Sequence, residues 1–437
     1  MAEKMKPSGI DWIGDIPNNW ETSRIKYHYQ ISLGKMLQPI QENSTDTLEH
    51  YMCSANITWA GVDTSILKQM WFSPAEKKQY RLLDGDLLVS EGGDVAVSCI
   101  WRNELDECYL QNAVHRVRQN ALSDNRFIYY WLFFLKNYGI VDLICNKATI
   151  AHFTKEKFGE LPICIMSIDE QVAIADFLDK ECAQIDSIAA DLEKQIELLQ
   201  QYKKSLITET VTKGLDKSVP MKDSGVEWLG KIPEHWQKTR IKFEASIIGS
   251  GTTPDSGNSM YYDNGEHSWI QSGDLYGKDY IYETEKQLTN LAILECHALN
   301  WYTKDFVVVA MYGASVGNVA ISKIDSFTNQ ACCVIKLNEK NDNRYLFYFL
   351  KAAQEEMLLK AFGGTQPNIS QIIIKNLNFL NVPLLEQIEI ADFLDSKCDM
   401  INEMLKSKKD QYDILIKHKK SLIYEYVTGK KRVKEVQ

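Results

Sequence analysis

At 437 residues, 45% of them hydrophobic, the chain exceeds what one apolar core usually organises, so two or more domains are expected. A formal net charge of −10, with no segment forming a basic block, excludes a protein that grips phosphates by bulk charge alone. The ten cysteines contain no C-x-x-C pair and the most apolar run, Phe306 to Met311, is strand-sized, which excludes a disulfide scaffold and a spanning helix and points to a cytoplasmic protein with reduced thiols.

The chain is one unit used twice. The text Met5-Lys6-x-Ser8-Gly9-Ile10-x-Trp12-Ile13-Gly14-x-Ile16-Pro17-x-x-Trp20 returns from Met221 to Trp236, an offset of 221 − 5 = 216. Glu170-Gln171 and Asp176-Phe177-Leu178-Asp179 return as Glu386-Gln387 and Asp392-Phe393-Leu394-Asp395 at the same offset. A repeat this long fixes the architecture before any local reading.

In chain order, residues 1–166 read as a mixed α/β domain. Asp86 to Ser90 and Ala113 to Val117 have the β-branched and alternating character of strands, Gly92-Gly93 marks a turn, and Phe127 to Leu135 is an aromatic-rich buried helix. Residues 167–215 read as a long helix. Ser167 and Glu170 have capping-box spacing, no proline or glycine interrupts the run to Lys213, and Gly214 stands ready to end it. Ile185, Leu192, Leu199 and Leu206 recur at sevens, with Ala189 and Ile196 between them, as a coiled-coil seam. Residues 216–382 repeat the mixed domain, with strands at Phe306 to Ala310 and Cys332 to Ile335 and a helix from Tyr345 to Leu359. Residues 383–430 repeat the helix, opened by Pro383 and closed by Gly429, with Ile401, Leu405, Tyr412, Leu415 and Leu422 along its seam. Residues 431–437 form a basic tail.

The expected fold is therefore α/β (mixed α+β) in two copies, joined by a pair of long antiparallel coiled-coil helices. A helix of about 44 residues spans roughly 65 Å, enough to hold two domains apart.

No motif for catalysis is present. The chain lacks the N-P-P-[YF] tetrapeptide, a Walker A loop and a G-x-G-x-x-G turn after a strand. Pro254-Asp255 lacks the lysine a nuclease set would need, and the histidines are scattered without a metal-binding spacing.

Together these features resemble the specificity subunit of Type I restriction-modification systems. The likeness covers essentially the whole chain. It rests on the S-G-[IV]-x-W-[IL]-G-x-I-P-x-x-W motifs at Ser8 and Ser224 and the E-Q-x-x-I-A-x-F-L-D pattern of the helix starts. It rests also on Gly251-Thr252-Thr253-Pro254, Trp269-Ile270-x-x-Gly273-Asp274-Leu275, Asn329-Gln330-Ala331 and Gly364-Thr365-Gln366-x-Asn368-Ile369. The resemblance implies two target recognition domains that each read half of a split double-stranded DNA sequence, with the helix pair setting the unread gap. It implies docking of two methyltransferase subunits and of ATP-dependent restriction subunits, with S-adenosylmethionine and ATP held by those partners and no cofactor or catalysis in this chain.

Base reading in the major groove needs side chains that match donor and acceptor patterns. The candidates are Lys35, Gln111, Lys147, Thr149 and His152 in the first domain. In the second they are Thr252, Thr253, Asp274, Ser315, Asn329, Gln330, Thr365, Gln366 and Asn368. The first domain lacks the G-x-T-P loop, as two different half-sites would allow. The fixed spacing of Trp12, Trp20, Trp228 and Trp236 beside a glycine and a proline favours a packed structural knot over base-stacking platforms, and this knot, with Glu170, Gln171, Glu386 and Gln387, is the candidate for partner docking. The paired lysines Lys203-Lys204 and Lys419-Lys420 and the tail Lys430-Lys431-Arg432 are expected on solvated faces, within reach of phosphates. The competing reading is a coiled-coil adaptor that binds only proteins, which would show no preference among DNA sequences.

Overall fold

The computed structural model describes residues 4–145, 152–362 and 367–433. The chain divides into two compact units, residues 1–193 with 410–437 and residues 194–409. Each unit takes one mixed domain together with half of each long helix.

The first unit is built on a four-stranded antiparallel sheet ordered Ser98–Ile100, Leu87–Ser90, Val114–Gln119 and Tyr29–Leu33. Leu87 and Val89 point into one core and Leu88 into another, so the continuous apolar run follows from a strand buried on both faces. The aromatic helix Asn125–Asn137 covers one face. On the other side lies a smaller sheet in which Tyr109–Leu110 runs parallel to the end of Thr47–Met52.

The second unit repeats this with five strands, ordered Ala245–Ser250, Cys332–Leu337, Phe306–Ala310, Val319–Ser322 and Tyr280–Ile281. Val307 and Val309 again serve one core while Val308 and Ala310 serve the other. Its smaller sheet has Phe327–Thr328 parallel to Trp269–Ile270. The helix expected from Tyr345 to Leu359 is two helices, Asn343–Ala352 and Gln354–Leu359. The bend at Ala353 lets both Ala353 and Met357 enter the core.

The long helices run Ile168–Lys213 and Leu384–Val427. In the first unit, Ile174, Leu178, Cys182 and Ile185 from the start of one share a core with Leu422, Ile423 and Val427 from the end of the other. In the second unit, Ile207 and Val211 meet Ile390, Leu394 and Cys398. Within each unit the two segments are therefore antiparallel. The seam departs from strict sevens: Ile185, Ala189 and Leu192 are buried, but Ile207 rather than Leu206 is buried further on. A straight helix drifts by about 20° per heptad from a 3.5-residue repeat, which moves the buried stripe by one position.

Both helices end on glycines in the left-handed conformation, Gly214 (φ 72°) and Gly429 (φ 70°). Gly429 is doubly required, because a β-carbon there would overlap the Pro17 ring. Among the described residues no helix is long and apolar enough to cross a membrane.

Candidate nucleic-acid interface and docking surfaces

At one end of the main sheet in each unit, separate loops are stitched into a rim by main-chain hydrogen bonds. In the first unit Asn112 N–H donates to Lys35 O (2.8 Å), Glu91 N–H to Ala113 O (2.9 Å) and Phe153 N–H to Glu91 O (2.9 Å). The Ser54 hydroxyl also donates to Ala113 O (2.7 Å). In the second unit Gly251 N–H donates to Asn329 O (3.3 Å), Met311 N–H to Ala331 O (2.7 Å) and Ile369 N–H to Met311 O (2.7 Å). The same path is followed twice. It brings together Lys35, Gln111 and His152 in one unit, and Thr252, Thr253, Asn329, Gln330 and Asn368 in the other.

The glycine of the G-x-T-P loop persists in the first domain as Gly34. A β-carbon at Gly34 would overlap the backbone of Gln111, and one at Gly251 would overlap the Thr328 carbonyl. What the first domain lacks is only the Thr-Thr-Pro that follows, for which it has Lys35-Met36-Leu37.

Not every candidate base reader is available. Lys35 is buried, paired with Glu76 and set 5.2 Å from the Phe72 ring centroid, so its charge is engaged within the fold. Gln111 accepts from Ala113 N–H (2.9 Å) and donates to Asn112, while Asn329 is buried and accepts from Ala331 N–H (3.1 Å). These two amides form the same turn and shape it. The Asp274 carboxylate is buried and taken by the N–H groups of Gln271 (2.8 Å) and Glu285 (3.1 Å). The Ser315 hydroxyl is buried and donates to Ser272 O (2.6 Å). Lys35, Asn329, Asp274 and Ser315 are thus buried supports, while Gln111 is half-exposed with both ends of its amide engaged, one of them by the half-exposed Asn112.

Exposed or half-exposed on the rim are His152, Thr252, Gln330 and Asn368, with Thr253 bonded through its hydroxyl to Gln330. Asn112, the counterpart of Gln330, was missed by sequence reasoning, although Gln111-Asn112-Ala113 mirrors Asn329-Gln330-Ala331. Lys147, Thr149, Thr365 and Gln366 lie outside the described residues.

Beneath the first rim, His115 is wholly buried with Nε2 2.6 Å from Phe153 O, so the ring donates there as a neutral imidazole. Burial pushes its pKa below the ordinary value of 6.5, against a smaller opposing effect of that hydrogen bond. As pH falls through 6.5 the unfolded chain takes up a proton that the folded chain refuses. Stability is therefore full above that value and lost progressively below it. The thermal midpoint of the wild type should fall more steeply between pH 7.5 and 5.5 than that of His115→Gln; parallel slopes would remove His115 as the cause.

Of the docking candidates, Trp20, Trp236, Gln171 and Gln387 are buried, while Trp12, Trp228, Glu170 and Glu386 are half-exposed. Trp20 and Trp236 are 0% exposed, and each indole N–H donates 3.0 Å to the carboxylate of Glu170 or Glu386. Glu170, which also pairs with Arg432, thus serves the Trp20 indole, while Ser167 still caps its amide (3.3 Å). A buried N–H must find an acceptor, and that need overrides the return arm of the capping box.

Trp12 sits 5.9 Å from the Phe134 ring centroid and Trp228 5.3 Å from that of Phe349. Gln171 and Gln387 are buried. Their carbonyls accept from the N–H groups of Asp124 (3.2 Å) and Asp342 (2.9 Å), and their amides donate to Met166 O (3.2 Å) and Val382 O (2.7 Å). Trp20, Trp236, Gln171 and Gln387 are accordingly internal struts, since a side chain with no accessible surface cannot meet a partner directly. Lys430 and Lys431 are tied down too, on Asp15 O and on Glu425 (2.8 Å).

The remaining residues of the helix motif form a clamp, present twice. Arg126 pairs with Asp124, Asp176 and Asp179, and Tyr130 donates to Asp179 (2.7 Å). Arg344 pairs with Asp342, Asp392 and Asp395, and Tyr348 donates to Asp395 (2.6 Å). Burial, followed by the bond to Asp395, raises the Tyr348 pKa, so its hydroxyl keeps the proton it donates. Each clamp fixes an aromatic helix to a long helix.

The sequence signature described as Type I restriction modification DNA specificity domain matches residues 17–198 and again 233–411. The chain belongs to this family. It is 24% identical over 437 residues to the putative type I restriction enzyme MjaX specificity subunit of Methanocaldococcus jannaschii, covering 97% of this chain and 96% of that one. The MjaVIII specificity subunit of the same organism is 24% identical over 436 residues, covering 96% and 95%.

A chain solved in work on the assembly and conformational transition of the type I R-M system shares the fold, with a TM-score of 0.71 at 13% identity over 94% of this chain and 98% of that one. The HsdS subunit from Thermoanaerobacter tengcongensis gives 0.51 at 13% identity, covering 95% and 98%. This specificity subunit is thus a DNA sequence-specificity protein with two recognition domains. Type I specificity subunits are in general non-catalytic and assemble with methyltransferase and restriction subunits on DNA.

Proposed function

We propose that each rim reads one half of a split double-stranded DNA target, with His152 and Asn112 acting in the first and Thr252, Gln330 and Asn368 in the second. Direct reading of bases requires exposed donors and acceptors on a rigid support. The observation that carries this proposal is the double occurrence of one hydrogen-bonded rim that presents different side chains each time. Phosphate contacts are shared with the partner subunits, in keeping with the acidic net charge.

The chain itself cuts and methylates nothing in this reading; S-adenosylmethionine and ATP are held by two methyltransferase subunits and by restriction subunits in the cytoplasm. The methyltransferases dock on the outer faces of the long helices. Exposed apolar side chains support this, at Ile188 and Ile414 in the first unit and at Leu198, Met400 and Met404 in the second. Ile188 and Met404, like Leu198 and Ile414, are related by the 216-residue repeat.

Exchanging residues 240–380 for the matching domain of a relative should change one half of the methylated sequence and leave the other intact. A change in both halves would mean that the two rims do not read independently.

A further inference from the structure

The loop that follows Gly34 differs in kind from its counterpart in the second domain. Met36, Leu37 and Ile40 are 75%, 56% and 73% exposed, and no charged residue lies between Lys35 and Glu42. The loop is nonetheless held. Lys35 N–H donates to Leu110 O (2.9 Å), Asn112 N–H to Lys35 O (2.8 Å) and Trp71 N–H to Gln38 O (3.0 Å), and the Gln38 side-chain amide donates to Ile40 O (3.3 Å). Three apolar side chains are thus presented on a fixed backbone at the rim. The second domain offers Thr252 and Thr253 in the same place, with the Thr253 hydroxyl turned to Gln330.

Exposed apolar groups gain only by meeting another apolar surface. The loop has no free cation for phosphate, since Lys35 is committed to Glu76. On the floor of the major groove the exposed apolar group is the 5-methyl of thymine.

We infer that Met36 and Leu37, flanked by Ile40, recognise thymine methyl groups in the half-site read by the first domain. This rests on the DNA-reading assignment of the rims and adds the chemistry of one of them: methyl recognition in the first domain, against hydroxyl and amide hydrogen bonding in the second.

The experiment uses the full chain in complex with its methyltransferase subunits and duplexes in which each thymine of the first half-site is replaced singly by uracil. Losing one buried methyl should weaken binding about four-fold at one or more positions, whereas uracil in the second half-site should have no such effect through this loop. The double variant Met36→Ser, Leu37→Ser should bind the thymine duplex more weakly, assemble normally and no longer distinguish uracil from thymine.

The inference is overturned if the first half-site contains no thymine, if uracil binds as well as thymine to the wild-type complex, or if the variant keeps the full preference. It is also overturned if the variant no longer assembles with the methyltransferase, which would make the loop a protein contact. A wild-type complex without any sequence preference would instead remove the DNA-reading assignment itself.

Discussion

Gly251→Ala should abolish discrimination in the half-site read by the second domain while leaving the other half-site intact. The added methyl would overlap the Thr328 carbonyl, with the Thr328 backbone and hydroxyl just behind it. Neither strand can retreat, since Thr328 is wholly buried and paired with Ile270 in the small sheet. The loop carrying Thr252 and Thr253 must therefore lift away from Asn329 and Gln330, breaking the Gly251–Asn329 bond and displacing the exposed groups together. Each misread base pair typically costs about 1–3 kcal/mol, so losing two readings should weaken specific binding on the order of 10²-fold. Competition binding by the complex against duplexes altered in one half at a time would show it. Wild-type discrimination by Gly251→Ala would remove the rim from the reading surface, and Gly34→Ala should affect only the opposite half.

Trp236→Ala should produce the largest loss of stability. The ring is fully buried, rests against Gly214 and donates its N–H to Glu386, so one side chain joins the segment that follows the paired strands Met221–Asp223 and Lys231–Pro233, the end of one long helix and the start of the other. Truncating a buried tryptophan costs about 3–5 kcal/mol through lost contacts and the cavity left behind. Trp236→Phe keeps much of the packing and loses the donor, a deficit of about 1 kcal/mol for the bond. Urea denaturation should order the proteins as wild type, phenylalanine, alanine. An alanine variant as stable as the wild type would mean that the repeated motif is not the internal strut described above.

The repeat, the long helices and the α/β character were legible because each is written locally, in duplicated text, in an unbroken run without proline or glycine, and in strands such as Phe306–Ala310 that are apolar on both faces. The rim was harder to see. The 216-residue offset of the motifs becomes 217 between Gly34 and Gly251 and 218 between Asp124 and Asp342, then returns to 216 between Phe153 and Ile369. Small insertions thus hid the glycine that the two domains share.

Side-chain roles were legible where only local chemistry decides, as with Gly214 and Gly429 at the helix ends. They failed where a distant group claimed the residue. Glu170 has the spacing of a capping box, but Trp20 is 150 residues away in the chain. Lys35 reads as a guanine partner until Glu76 is seen beside it. Asp274 reads as a candidate base contact until two backbone amides are seen to occupy its carboxylate.

The most direct test of the central claim is to express the chain with its methyltransferase and map every methylated position in the host genome. Two short fixed sequences separated by a constant stretch of unspecified bases, one changing when residues 240–380 are exchanged, is the result expected of two rims that read separately. Methylation at one continuous sequence, or without any sequence preference, would contradict it.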